Sequence, residues 1–212
     1  MAALTHFEKA FAQCPLIAIL RGLHPDESLA IGEALVEAGI TILEVPLNSP
    51  DPFKSISRLA KALQGRAVVG AGTVYRRTEV DQVMDAGGTL IVSPNANPDV
   101  ISHAVSEHLV SAPGVFTPTE AMTALDAGAH ALKLFPGELM SPQGVKALSA
   151  VLPKSTRMVL VGGVNDTSFA SYAATPLAGF GLGSSLFSPG VDAVEIKRRA
   201  TQFIAAYRKA KS

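Results

Sequence analysis

Two ionisable side chains stand inside otherwise apolar runs of this chain, and together they suggest a chemistry. Lys133 lies in Ala129-His-Ala-Leu-Lys-Leu-Phe-Pro136, and Glu44 lies in Ile42-Leu-Glu-Val45. Both runs read as short strands. Burying a charge without a partner is costly, so each residue needs a reason to be there. One reason is chemical. Desolvation lowers the pKa of a lysine, and the free amine can then attack the ketone of an α-keto acid to form a Schiff base. The resulting iminium withdraws electrons, so the adjacent bond can break while a nearby carboxylate moves the protons. Glu44 is the sole acidic residue inside a predicted strand and is the candidate general acid/base. The plainer alternatives stay open at this point. Lys133 could lay its stem along apolar surface with its head in water, or the two residues could form a salt bridge, with Arg21 a further partner for Glu44.

Two glycine clusters late in the chain suggest a second function. Val161-Gly-Gly-Val164 and Gly181-Leu-Gly-Ser-Ser185 each follow a predicted strand, and the latter leads into a short turn at Leu186-Phe187. Glycine lets backbone N–H groups approach an anion, and a short helix there would present its positive end. Gly162, Gly163, Gly183 and Ser184 are therefore candidate phosphate contacts, with tight ligand-free turns as the alternative. Pro94 and Phe135 could form an apolar wall, or could simply pack.

The elements that must position these residues alternate regularly. Eight apolar runs (16–20, 42–45, 67–71, 89–92, 109–111, 131–134, 158–161 and 178–182) are separated by helix-length amphipathic segments (25–38, 51–63, 76–86, 98–107, 118–127, 142–151 and 165–173). A last helix covers 191–211, and a first one places Leu4, Phe7 and Phe11 on one face. The near-continuous hydrophobicity of the runs suits parallel strands covered on both sides. Ala38-Gly39, Ala86-Gly87 and Ala127-Gly128 each close a helix just before a strand. Eight βα units predict an α/β fold, a (β/α)₈ barrel with an additional N-terminal helix, over residues 1–212 as a single domain. An open doubly wound sheet is the alternative, disfavoured by the strand count and by the lack of a GxGxxG run. In a barrel the functional residues lie at the C-terminal ends of strands and point inward. Alternation along the strands then places Glu44, Lys133 and Phe135 at the mouth, with Thr73 (sharing a face with Val69 and Ala71) and Arg21 beside them.

Composition narrows the field. Hydrophobic residues make up 48% of the 212 and charged residues 17%, a balance that points to a compact, deeply buried fold and away from disorder. Eighteen basic residues balance eighteen acidic ones, so nothing global points to nucleic acid or an anionic membrane. No apolar run is long enough to span a bilayer. Cys14 is the single cysteine, which excludes an intrachain disulfide and a cysteine-cluster zinc site; His24, His103, His108 and His130 show no metal-ligand spacing, and His6 is terminal. The N-terminus lacks a signal-peptide pattern. A cytoplasmic protein acting on a small molecule, without metal or nucleic acid, is expected.

From about Pro15 to the last helix, the chain resembles the bacterial aldolase family that cleaves 2-keto-3-deoxy-6-phospho-sugar acids to pyruvate and glyceraldehyde 3-phosphate. The resemblance rests on Gly39-Ile-x-x-x-Glu44, Gly70-Ala-Gly-Thr73, Lys133-Leu-Phe-Pro136, Gly162-Gly163 and Gly183-Ser184. It implies a class I aldolase on a (β/α)₈ barrel, usually a homotrimer, with no cofactor. It further implies Lys133 as the Schiff-base lysine, Glu44 as the acid/base, Arg21, Thr73, Pro94 and Phe135 near the keto-acid end, and Gly162, Gly163, Gly183 and Ser184 at the phosphate. Two departures bear on the substrate. Val45-Pro-Leu-Asn-Ser49 lacks the arginine that gluconate-type members carry in place of Asn48, and Val161 stands where they place a threonine able to reach the C4 hydroxyl. Both resemble the galactonate branch, which acts on the C4 epimer. A third departure, at Gly137 and Ser141, is expected to change only the local loop. Activity on the gluconate epimer or on both, and a phosphosugar-binding barrel that is an isomerase or a sensor, are the alternatives.

Overall fold

The computed structural model describes residues 2–211. Helix α1 (Ala2–Gln13) precedes strand β1 (Leu16–Ile19), and the chain then alternates through α2 (Ser28–Ala38), β2 (Ile42–Pro46), α3 (Pro52–Ala62), β3 (Val68–Gly72), α4 (Arg77–Asp85), β4 (Leu90–Val92) and α5 (Pro98–Ser106). Two short strands follow, β5 (Val110–Ala112) and β6 (Gly114–Val115), and then α6 (Pro118–Asp126) and β7 (Leu132–Leu134). A 3₁₀ turn (Gly137–Leu139), α7 (Pro142–Ser149), β8 (Met158–Val161), α8 (Ser168–Tyr172), β9 (Gly179–Leu182) and α9 (Ala193–Lys211) complete the order.

The local reasons for these boundaries are those the sequence carries. Pro52, Pro98, Pro118 and Pro142 open their helices, where a missing N–H costs nothing. Asn97, Thr117 and Ser141 cap the N-termini of α5, α6 and α7 with side-chain oxygens. Ser141, one of the two loop departures, is thus a helix cap. Gly39, Gly87 and Gly128 follow helices at positive φ, as expected of terminating glycines.

All strand pairings are parallel, in the order β5-β4-β3-β2-β1-β9-β8-β7-β6. Pro113 explains why nine strands stand where eight were expected. It has no N–H to give to a ladder and divides one stave into β5, which pairs with β4, and β6, which pairs with β7. The carbonyls of Ser111 and Pro113 still accept N–H bonds from His130, Ala131 and Lys133, which closes the ring. The architecture is an α/β barrel of eight staves with helices between them and an extra N-terminal helix.

Closure creates two apolar layers. The larger lies between strands and helices and holds Leu43, Val45, Val69, Ala71, Leu132 and Leu134. The smaller fills the barrel with Ile17, Ile19, Ile42, Val68, Leu90, Val92, Val110, Ala112, Ala131, Val159 and Val161. The expected alternation holds for β2 and β7. On β3 the faces are reversed from expectation: Val69 and Ala71 pack against helices, and Val68 belongs to the interior.

Helix α1 stoppers the N-terminal end of the barrel. Phe7 and Phe11 join the interior layer, with ring centroids 5.5 Å apart. The Arg157 guanidinium lies over both rings, 5.7 Å and 5.2 Å from their centroids. Phe7 is fully buried. Phe7→Ala removes a core aromatic and leaves a cavity, so it should lower unfolding stability by about 3–5 kcal/mol, measured by urea denaturation.

Candidate active site

The opposite, C-terminal end of the barrel is open. A cavity of about 440 Å³ there is lined by Ile19, Arg21, Glu44, Lys133, Phe135 and Glu138 on one side. Val161 through Asn165, Gly181 and Gly183 through Ser185 complete the lining. A small apolar recess below it is bounded by Ile17, Val92, Ala112 and Val159, and Glu44 and Lys133 line both spaces. The two ionisable groups therefore sit where the wet mouth meets the dry interior.

Strand β2 ends in Glu44-Val-Pro46 and delivers Glu44 to the interior at 2% exposure. Its Oε2 is buried and has no hydrogen-bond partner among the described residues. Gly72, at the end of the neighbouring β3, makes room for it: a β-carbon there would lie 1.9 Å from Oε2. Burial raises the Glu44 pKa to about 7, against the opposing pull of the Lys133 and Arg21 charges. Lys133, on β7, is 8% exposed. Burial lowers its pKa and the Arg21 charge adds to that, while the Glu44 charge opposes it. Its Nζ lies 4.5 Å from the Phe135 ring centroid, a contact that favours the cation. Burial thus moves both groups toward their neutral forms, and they act on each other through space, not through a hydrogen bond. The salt-bridge alternative for Glu44 is not what the structure contains.

Arg21 follows β1 at the rim. Its Nη1 donates to Asn48 Oδ1 at 2.6 Å, and the Gly22 N–H donates to Ser49 Oγ at 3.0 Å. Asn48, which marks the missing arginine in the sequence, therefore holds the arginine that remains. Phe135 is 36% exposed and forms part of the wall above Lys133. Val161 ends β8 with its side chain inward and offers the cavity no hydrogen bond.

Gly162 and Gly163 follow at φ 107° and 64°, in the left-handed region that side chains rarely adopt. After β9, the Gly183 carbonyl accepts from the N–H groups of Leu186 and Phe187. This is one hydrogen-bonded turn and not the short helix expected. Gly162, Gly163, Gly183 and Ser184 share the cavity with Lys133 and Glu44.

Thr73 and Pro94 are not brought into that lining. Thr73 sits just beyond β3 at φ 61°, where the strand alternation that grouped it with the inward residues has ended. Pro94 lies at the rim beside β5 and β6, its carbonyl packed against Gly114. Sequence reasoning missed Glu138, Asn165 and Ser185. Ser185 is committed to the Val164 carbonyl and Asn165 to the turn that starts α8. Among the described residues, no group of three or more His, Cys, Asp or Glu side chains is placed to hold a metal ion, and no helix is long and apolar enough to cross a membrane.

The model of the KDPG and KHG aldolase family matches residues 7–204. The chain belongs to that family. It is 49% identical over 193 residues to a probable 2-dehydro-3-deoxy-6-phosphogalactonate aldolase of Rhizobium meliloti, covering 91% of each chain. It is 45% identical over 196 residues to the 2-dehydro-3-deoxy-6-phosphogalactonate aldolase of Escherichia coli, covering 92% of this chain and 96% of that one. A solved structure described as native KDPGal superposes with a TM-score of 0.91 at 44% identity, over 93% of this chain and 96% of the other. The family assignment and the barrel agree with one another.

The Glu44 environment has a measurable consequence. Between the ordinary carboxylate value of 4.5 and about 7, the folded protein keeps the Glu44 proton that the unfolded chain releases. The stability this contributes is full below pH 4.5 and is lost as pH rises through 7. Glu44→Gln has no such proton to lose. Its stability relative to the parent should therefore rise by a few kcal/mol from pH 4.5 to pH 8, read from denaturation midpoints across pH.

Proposed function

We propose that this chain is a class I aldolase that cleaves 2-dehydro-3-deoxy-6-phosphogalactonate to pyruvate and glyceraldehyde 3-phosphate, a carbon–carbon lyase of galactonate breakdown. The observation that carries this reading is the pair of buried groups at one barrel mouth: a lysine whose pKa is lowered by burial and a carboxyl whose free oxygen has no other partner.

On this reading, the Lys133 amine attacks C2 of the keto acid, and protonated Glu44 gives its proton to the departing hydroxyl, which leaves as water and forms the iminium. Ionised Glu44 removes the C4 hydroxyl proton as the C3–C4 bond breaks. Its electrons flow into the iminium and leave an enamine, and the aldehyde departs. Protonated Glu44 then returns the proton to C3, and water hydrolyses the new iminium to release pyruvate. A carboxyl that titrates near 7 can serve in both directions, because it is never far from either protonation state. Arg21, steadied by Asn48, stands at the rim to receive the substrate carboxylate. Phe135 would wall the methyl end, and Thr73 and Pro94 would support that end from the rim. Gly162, Gly163, Gly183 and Ser184 would hold the phosphate at the far side of the same cavity.

Val161 supports the choice of epimer. A site that presents a methyl to the C4 hydroxyl does not reward one configuration with a hydrogen bond, and hydroxyl recognition strongly discriminates between related substrates. Residues 1–212 are read as one aldolase domain. The apolar side chains of Phe116, Leu139 and Val151 line one exposed groove, a surface suited to a neighbouring copy in a homotrimer. The free buried Cys14 suits a reducing cytoplasm.

Pyruvate and borohydride should add mass to the parent protein at Lys133, and Lys133→Met should abolish that adduct. Trapping retained at another lysine would overturn the assignment. Side-by-side kcat/KM values for the two C4 epimers should favour the galactonate type. Val161→Thr should shift that ratio toward the gluconate type by on the order of tenfold, the worth of about one hydrogen bond. A parent enzyme that prefers the gluconate type would reject the epimer assignment.

A further inference from the structure

Four ionisable side chains line the cavity among the described residues: Arg21, Glu44, Lys133 and Glu138. The reaction above gives Glu138 no task, yet it occupies a particular place. A β-carbon on Gly162 would lie 2.4 Å from Glu138 Oε2, and one on Gly163 would lie 2.5 Å from Glu138 Cγ. The Glu138 side chain is thus laid across the two glycines, in the space their absent side chains would take. Its backbone is held close for the same kind of reason. Glu138 belongs to the 3₁₀ turn after β7, and a β-carbon on Gly137 would meet the carbonyl oxygens of Gly162 at 2.6 Å and Val161 at 2.8 Å. Glycine at 137 lets the turn settle directly on the end of β8. The loop departure at this position therefore does more than vary a surface.

A carboxylate over a glycine pair assigned to a phosphate is an electrostatic contradiction unless it moves or serves a purpose. Glu138 is exposed, and among the described residues no hydrogen bond or ion pair fixes its carboxylate. Nothing but its own packing must be broken to move it. A free anion would have to displace it using only its own contacts with the glycines. A phosphate joined to a keto acid already engaged at Lys133 and Arg21 arrives at high effective concentration and displaces it with binding energy from both ends.

We propose that Glu138 is a specificity-determining residue: it fills the anion seat at Gly162 and Gly163 in the free enzyme and yields it to a substrate-borne phosphate in preference to free inorganic phosphate. This rests on the reading of Gly162 and Gly163 as phosphate contacts. The test measures inorganic phosphate as a competitive inhibitor of cleavage by the parent, Glu138→Gln and Glu138→Ala enzymes. It also measures the KM of each enzyme for the phosphorylated substrate and for the same keto acid without phosphate. Removing the negative charge should tighten phosphate inhibition on the order of tenfold in Glu138→Gln. Glu138→Ala, which also empties the space, should tighten it at least as much. The KM for the phosphorylated substrate should change by less than the inhibition constant. If phosphate competes in the parent but no more tightly in either variant, the proposal fails while the phosphate reading stands. If phosphate competes with none of the three enzymes and the parent does not distinguish the phosphorylated from the unphosphorylated keto acid, the phosphate reading fails and the proposal falls with it.

Discussion

The structure turns on one electrostatic constraint: a carboxyl and an amine enclosed in the upper interior of a closed barrel. Neither has the close partner that burial of a charge ordinarily requires. Glu44 Oε2 has none among the described residues, and Arg21, the nearby cation that could have neutralised it, is drawn instead to Asn48. Burial then has one direction for each group, toward the neutral acid and the neutral amine. This departs from the rule that buried polar groups are satisfied, and such departures concentrate at functional sites. A solvated carboxylate and ammonium at the same positions would pair and be inert.

The rest of the barrel keeps that constraint in place. Below the pair, the interior is sealed by aliphatic side chains and by the α1 aromatics, so little water reaches it from the N-terminal end. Above it, space comes from missing side chains. Glu44 lies where a β-carbon on Gly72 would be. Gly181 on β9 leaves room that Val161 and Ile19 close to within 2.8 Å and 3.1 Å of its absent β-carbon. One end is filled by large residues brought from an added helix, and the other is opened by glycines within the strands. The cavity and the dry floor are thus two consequences of how side-chain volume is distributed along the same staves.

That distribution also explains what could be read from the sequence. The alternation of β2 and β7 was legible because one face carries large aliphatics and the other an isolated charge. So were the helix boundaries marked by Pro52, Pro118 and Gly39. On β3 the inward residues after Val68 are Gly70 and Gly72, which leave no hydrophobic imprint. The visible pattern of Val69 and Ala71 therefore belongs to the helix-facing side, and Thr73 was carried along with it. The fifth run was read only as 109–111, yet the stave continues past Pro113, because ring closure supplies partners on either side of the break. Glu138 was overlooked because an acidic residue in an exposed turn is ordinary. Its position depends on close packing of Gly137 against β8, which spacing in the chain does not reveal.

The polar inventory of the cavity bears on how it can recognise a substrate. Ser185 and Asn165 are each committed to a protein partner, and Arg21, held by Asn48 at the rim, is assigned to the substrate carboxylate. Val161 offers nothing to a hydroxyl. Near the dry floor that leaves Lys133, which the carbonyl carbon takes, and Glu44. On the proposed mechanism, the C4 hydroxyl is therefore read by the group that removes its proton. Recognition and chemistry then fall on one carboxylate, and a hydroxyl it cannot reach is neither bound nor deprotonated. A threonine at position 161 would separate the two tasks by giving the hydroxyl a second partner. With valine there, discrimination between epimers depends on reaching the transition state more than on ground-state binding, and it should appear in kcat more than in KM.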